Sequence, residues 1–178
     1  ANPASPVLAG VWHTTGPALA VAATPSRAYV MDEYEGLLIL DVSSPATPSL
    51  LGVYPGLTAA RGLALSGNTV IVADDNGMLS VIDAVNPASP SLSGSVRLGA
   101  FSGSLAATSG VAYVAAGDAG LLTINLAGPV VAHTNVTADA ALAVAAAGSS
   151  VTLASSYAGV QTFDVSSPLA PVLQGTYP

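Results

Sequence analysis

Acid–base chemistry in this chain rests on ten carboxylates and two histidines, and the carboxylates are patterned rather than scattered. Asp32-Glu33-Tyr34-Glu35, Asp74-Asp75-Asn76-Gly77 and Asp118 occupy corresponding places in successive stretches. Oxygen-rich turns bind Ca²⁺ when enough ligands converge, which makes Asp74, Asp75 and Asn76 a candidate calcium site. The full EF-hand loop is missing, and Asp-Asp-Asn-Gly is also the composition of a tight hairpin. There, Asp and Asn accept hydrogen bonds from their own backbone and Gly supplies positive φ. A second set, Asp41, Asp83 and Asp164, closes apolar runs that precede prolines, and is expected to cap the backbone of the bend that follows. His13 and His133 show no His-x-x-x-His or His-Glu-x-x-His spacing, which argues against a zinc hydrolase site. They are expected at equivalent exposed positions of outer strands. No Gly-x-Ser-x-Gly elbow marks a nucleophile.

The elements that would hold these residues recur. EGLLILDVSSPATPSLLGVYP (35–55), NGMLSVIDAVNPASPSLSGSVRL (76–98) and AGVQTFDVSSPLAPVLQGTYP (158–178) are copies of one pattern, and AGLLTINLAGPVVAHTNV (119–136) is a degenerate fourth. Gly36, Gly77, Gly120 and Gly159 follow one another at intervals of 41, 43 and 39 residues, the period of a propeller blade. Within a repeat the pattern predicts four short strands. In the second copy these are 62–65, small residues; 69–73, β-branched; 79–83, alternating; and 91–98, after the prolines. Residues 139–147 (DAALAVAAA) have helical propensity, but they align with strand-like segments and are too short for an unaided helix, so a strand is expected. Pro3/Pro6, Pro45/Pro48, Pro87/Pro90 and Pro168/Pro171 sit at the same point of their repeats and read as structural bends rather than as SH3-type ligands.

Composition excludes several classes of function. Arg27, Arg61 and Arg97 are the only basic residues beside the histidines, and the net charge of -7 disfavours nucleic-acid backbones and anionic membranes. No apolar run approaches the roughly 18 to 20 residues that span a bilayer. Without Cys there are neither disulfides nor thiolate metal sites. An acidic, Lys-free, Ser/Thr/Gly/Ala-rich chain suits an extracellular or cell-surface prokaryotic protein, with Ala1 readable as a mature N-terminus and Asn135-Val136-Thr137 as a lone sequon.

At Leu37-Leu38-Ile39-Leu40-Asp41-Val42, Leu79-Ser80-Val81-Ile82-Asp83 and Val160-Gln161-Thr162-Phe163-Asp164-Val165 the chain resembles the LVIVD-repeat family, whose motif is an apolar strand ending in Asp before a proline-containing linker. The resemblance covers nearly the whole chain. It implies a β-propeller in surface or secreted prokaryotic proteins, with binding or structural duties and no catalytic residues to carry over. The third repeat departs from it, with Asn125 in place of Asp and only Gly128-Pro129 in place of the proline pair. The second has one extra residue between Gly77 and Asp83, expected as a bulge.

The expected fold is therefore all-β: a propeller-like array of four four-stranded blades of about 42 residues plus one orphan N-terminal outer strand. Residues 1–16 hold the orphan strand; 17–59, 60–103, 104–140 and 141–178 hold blades 1 to 4. Expected core positions are Leu38, Leu40, Val70, Val72, Val81, Leu122, Ile124, Val151, Leu153 and Phe163. Four complete blades with an unmatched outer strand suggest an open arc, a piece of a larger array, or a subunit completed by a partner. Val7, Leu8, Val11 and Trp12 in that strand are the candidate interface, because an unpaired apolar strand is an invitation to pairing. The leading expectation is a non-enzymatic module acting in assembly or binding, without a cofactor, whose partners are other copies of itself or adjoining blades. One alternative is a calcium-dependent propeller hydrolase or lactonase drawing on Asp32, Asp74, Asp75 or Asp118. The other is a carbohydrate-binding or adhesive module using Trp12, Tyr54 or Tyr177.

Overall fold

The computed structural model describes residues 4–57, 59–99, 104–137 and 139–178. Pro3 of the first proline pair and the blade boundary at 103 lie outside them. Blade 1 consists of β1 (Ala18–Ala23), β2 (Arg27–Asp32), β3 (Gly36–Asp41) and β4 (Ser49–Tyr54). Blade 2 follows with β5 (Ala60–Ser66), β6 (Thr69–Asp74), β7 (Met78–Asp83) and β8 (Ser91–Arg97). Blade 3 holds β9 (Ser104–Thr108), β10 (Val111–Ala115), β11 (Leu121–Asn125) and β12 (Val130–Asn135), and blade 4 holds β13 (Ala141–Ala147), β14 (Ser150–Ser155), β15 (Gly159–Asp164) and β16 (Val172–Tyr177). Each blade is an antiparallel meander paired in sequence order, so the fold is all-β and propeller-like. Residues 139–147 contribute a strand, not a helix: pairing with β14 and packing against β9 of blade 3 outweigh local propensity.

The core lies between blades rather than within one central layer. Tyr29, Met31, Leu37 and Ile39 of blade 1 meet Ala60, Val70, Val72 and Ile82 of blade 2. Ile71, Leu79 and Val81 then meet Leu105, Val114 and Ile124 of blade 3, and Tyr113 and Leu121 meet Val151, Leu153 and Phe163 of blade 4. The strand period of two produces this arrangement, since alternate residues of each central strand serve alternate neighbours. All ten core positions expected from the sequence are buried. The innermost strands β1, β5, β9 and β13 pack in succession, but among the described residues no comparable packing joins β13 to β1. The four blades thus form an arc rather than a ring.

Three local expectations need correction. Residues 7–13 do not form a strand among the described residues, because no neighbouring strand offers them a ladder. The supposed extra residue in the second repeat is absent: β7 and β3 have equal length and β6 pairs with β7 without a register shift. Gly77 stands one place earlier in its hairpin than Gly36 does. The bulges fall instead between the third and fourth strands of every blade, and between the first and second strands of blades 1, 2 and 4. Finally, His133 pairs with Thr123 at the place where Gly52 pairs with Ile39, so it corresponds to Gly52 and not to His13.

Candidate functional site

In the hairpins between second and third strands, Asp32, Asp74 and Asp75 are taken up locally. Asp32 is buried. Its Oδ1 accepts the backbone N–H groups of Tyr34 and Glu35 at 2.8 Å, and its Oδ2 accepts that of Gly16 at 2.7 Å. Burial alone would push this carboxyl up. The N–H donors of Glu35, Gly16 and Tyr34 outweigh it and hold the group below the usual carboxylate range. Asp74 Oδ1 accepts Asn76 N and Met78 N at 2.9 Å.

Asp75 grips the Nε of Arg61 with both oxygens at 2.8 Å. That contact lowers the carboxyl and raises the guanidinium from their ordinary values. The candidate calcium residues Asp74, Asp75 and Asn76 are therefore engaged with backbone amides and a guanidinium, and an ion would have to displace both. Among the described residues no group of three or more His, Cys, Asp or Glu side chains converges.

Asp118 lies exposed in the corresponding hairpin of blade 3. Between blades 1 and 2, Leu19, Glu33, Arg61 and Asp75 line a recess of about 200 Å³. Others of about 260 and 290 Å³ lie beside Asp164 and beside Asp41. All three fall below the range of about 300 to 1,000 Å³ typical of small-molecule sites.

The second carboxylate set does cap the bends. Asp41 Oδ1 accepts Ser43 Oγ at 2.6 Å and Ser43 N at 2.8 Å, and Asp164 treats Ser166 in the same way. These bonds, the hydroxyl's first, hold both carboxyls low. Asp83 accepts Val85 N, and Asn125 accepts Ala127 N with its amide oxygen, so the degenerate repeat keeps the bend without the charge. Each full linker then makes a reverse turn, Ser44 to Thr47, Asn86 to Ser89 and Ser167 to Ala170, with proline at its second position.

These turns have a role that reading each repeat alone does not show: they seat the outer strand of the preceding blade. A Cβ on Gly52 would strike the Pro87 carbonyl oxygen and Ala88, and one on Gly94 would meet the Pro129 ring. Gly10 stands in the same relation to Pro45 and Ala46. Segment 7–13 is thus held on blade 1 in the place where β4 lies on blade 2. Val7 is 86% and Leu8 84% exposed, with Val11 and Trp12 less so. These four lie exposed in one short segment, whereas the acids are dispersed over separate hairpins. His13 and His133 are both exposed and belong to different blades' edges. The signal for the seating was available, because Gly10, Gly52 and Gly94 recur every 42 residues and Pro45, Pro87 and Pro129 do so as well.

Residues 16–55 and 58–97 match the LVIVD-repeat family model. No curated protein matches the chain in sequence. Among solved structures, the computationally designed Ika8 protein superposes with a TM-score of 0.69 at 12% identity, over 88% of this chain and 48% of its own. The designed Ika4 protein gives 0.69 at 13% identity over 90% of this chain and 99% of its own. BamB from Moraxella catarrhalis gives 0.69 at 13% identity over 89% of this chain and 47% of its own. The chain therefore spans about half the length of Ika8 and BamB and nearly all of Ika4; at these identities the likeness is one of fold.

Proposed function

We propose that this LVIVD-repeat propeller chain is a non-enzymatic extracellular or cell-surface module that acts by assembly or binding, and that its working surface is the blade 1 end. The observation carrying this reading is segment 7–13, an apolar chain seated in an outer-strand position with its hydrogen-bonding edge free of any strand among the described residues. Such an edge is a template for another strand. Support also comes from the acids, each described hairpin cluster of which is occupied by amides or by Arg61 apart from exposed Asp118. A net charge of -7 with no Lys sets nucleic acid aside as a partner. Other copies of the chain, or adjoining blades, fit an edge of this kind.

Sedimentation velocity tests the reading. The chain is expected to associate with rising concentration, and deletion of residues 1–15 to leave a folded monomer. A parent chain that stays monomeric at high concentration, with 7–13 protected from protease, would overturn it. So would one stoichiometric divalent ion whose removal abolishes a hydrolytic activity, because that outcome belongs to a calcium-dependent enzyme.

A further inference from the structure

Two polar side chains of blade 3 face its junction with blade 4 and find no partner among the described residues. Thr123 is fully buried with an unpaired Oγ1, and the Oδ1 of Asn135 is buried and unpaired as well. Both lie on the same face. Thr123 stands two residues from Leu121 on β11 and opposite Tyr113 on β10, while Asn135 stands opposite Leu121 on β12, and Leu121 and Tyr113 pack on blade 4. At the earlier junctions the same two places are apolar. Ile39 and Tyr54 hold them between blades 1 and 2, and Val81 and Val96 between blades 2 and 3. Both places therefore turn polar together, in one repeat and at one junction. A buried polar group left without a hydrogen bond is costly, so two side by side call for a ligand that satisfies both.

The junction is built differently from the others. At Gly52 the outer strand and the Pro87–Ala88 turn meet backbone to backbone, with no space for a Cβ. His133 carries a side chain at the equivalent place, opposite Thr123, so the Pro168 turn does not close on β12 in that way. Side-chain hydrogen bonds span the junction instead, from the Tyr113 hydroxyl to the Pro168 carbonyl at 2.9 Å and from Asn135 Nδ2 to the Pro171 carbonyl at 3.2 Å. The hydroxyl oxygen and the carbonyls keep further lone pairs for a donor. Going beyond the assembly reading and independent of it, we propose that the junction of blades 3 and 4 is a binding site for ordered water, with one molecule accepting from Thr123 Oγ1 and donating to Asn135 Oδ1. Its second O–H has the Tyr113 hydroxyl oxygen and the two proline carbonyls as acceptors, which brings it to the three or so bonds usual for a buried water. The earlier junctions close through apolar contact at these places, and this one closes through solvent.

Thr123→Val tests the site, because it keeps the shape of the side chain and removes the hydroxyl, and Val81 already fills the equivalent place in blade 2. With water bound, the variant strands it and should melt about 2–4 °C below the parent. A dry junction gives the opposite sign, since the variant then removes an unpaired buried hydroxyl. Val81→Thr, which puts a hydroxyl among apolar side chains, should lower the melting temperature further. A crystal structure at a resolution that shows ordered solvent should place a peak within hydrogen-bonding distance of both Thr123 Oγ1 and Asn135 Oδ1, absent from Thr123→Val. An unchanged or raised melting temperature for Thr123→Val, parent-like melting of Val81→Thr, or a map with no solvent between Thr123 and Asn135 would overturn the water site and leave the assembly reading untouched.

Discussion

Val72 is 1% exposed in β6, opposite Leu63 and Ser80, on the face that packs against blade 1. Truncation to alanine removes two buried carbons at about 0.8 kcal/mol each and leaves part of their space unfilled, for a cost of about 2 kcal/mol. Aspartate is close to valine in size, so Val72→Asp creates little void. Its cost is that of a carboxylate with no partner between two blades, about 4 kcal/mol or more at neutral pH. For a chain of this length each kcal/mol moves the melting temperature by about 2–4 °C, so Val72→Ala should lower it by about 4–8 °C and Val72→Asp by clearly more.

The two variants also differ in pH dependence. Burial raises the folded pKa of the introduced carboxylate above its unfolded value of about 3.9, so the folded state holds the proton more tightly and stability is lost as pH rises. The deficit of Val72→Asp relative to the parent should therefore shrink between pH 7 and pH 4.5, while that of Val72→Ala stays level. Thermal melts at both pH values, read by circular dichroism, measure this. Parent-like melting of Val72→Asp, or equal deficits for both variants, would mean that Val72 does not face a neighbouring blade.

Tyr113 is buried between blades 3 and 4, and its hydroxyl donates to the Pro168 carbonyl at 2.9 Å. Tyr113→Phe should cost about 1–2 kcal/mol, with hydrogen exchange quickening first in the Ser167–Ala170 turn and β16, because the Pro168 carbonyl is left unpaired there. Gly52→Ala should cost about 1–3 kcal/mol, since the new Cβ meets backbone of the Pro87–Ala88 turn. Gly128→Ala, with open space around its Cβ, should stay within about 0.5 kcal/mol, and denaturant titration of the pair checks the contrast. Asp32 contributes stability that is full above its unfolded value near 3.9 and is lost as pH falls through its lower folded value. Asp32→Asn should accordingly flatten the melting temperature against pH below about pH 4, and an unchanged acid limb would contradict the role of its three amide donors. Addition of millimolar Ca²⁺ should leave melting unmoved, whereas a saturable rise abolished by Asp74→Ala would restore the calcium reading.

The repeat made most of the fold legible. Alternation in Leu79 to Asp83 and the β-branched run at 69–73 point to strands, the prolines to bends, and a period near 42 to blades; ten expected core residues are buried as a result. What one copy of a repeat does not reveal is its relation to the next copy. The pairing of Gly52 with Pro87, or of Tyr113 with Pro168, joins residues 35 and 55 apart and belongs to the junction between blades. The blade 4 counterparts of Tyr29 and Ile39 were hidden for a similar reason: Thr152 and Thr162 suit any strand, and only the register shows that they occupy the same places. The acids were legible as turn formers, and the Arg61–Asp75 contact was not, because it spans two elements of one blade at a separation that local pattern does not specify.

The junctions explain why the third repeat could degenerate without the stack coming apart. Gly10 and Pro45, Gly52 and Pro87, and Gly94 and Pro129 are each 35 residues apart, so the outer strand of one blade always meets the turn of the next at one place. In the first two of these junctions the backbones come so close that no Cβ fits. His133 stands 35 residues before Pro168, at the position where the others have glycine. A side chain there prevents the same approach. The turn is held from elsewhere instead, with the Tyr113 hydroxyl on the Pro168 carbonyl at 2.9 Å and the Asn135 Nδ2 on the Pro171 carbonyl at 3.2 Å. Two directed hydrogen bonds do at the last junction what backbone proximity does at the earlier ones, and Asn125 replaces the bend-forming carboxylate with an amide oxygen in the same repeat. Loss of the motif letters at Asn125, Gly128 and His133 thus leaves each physical task still performed.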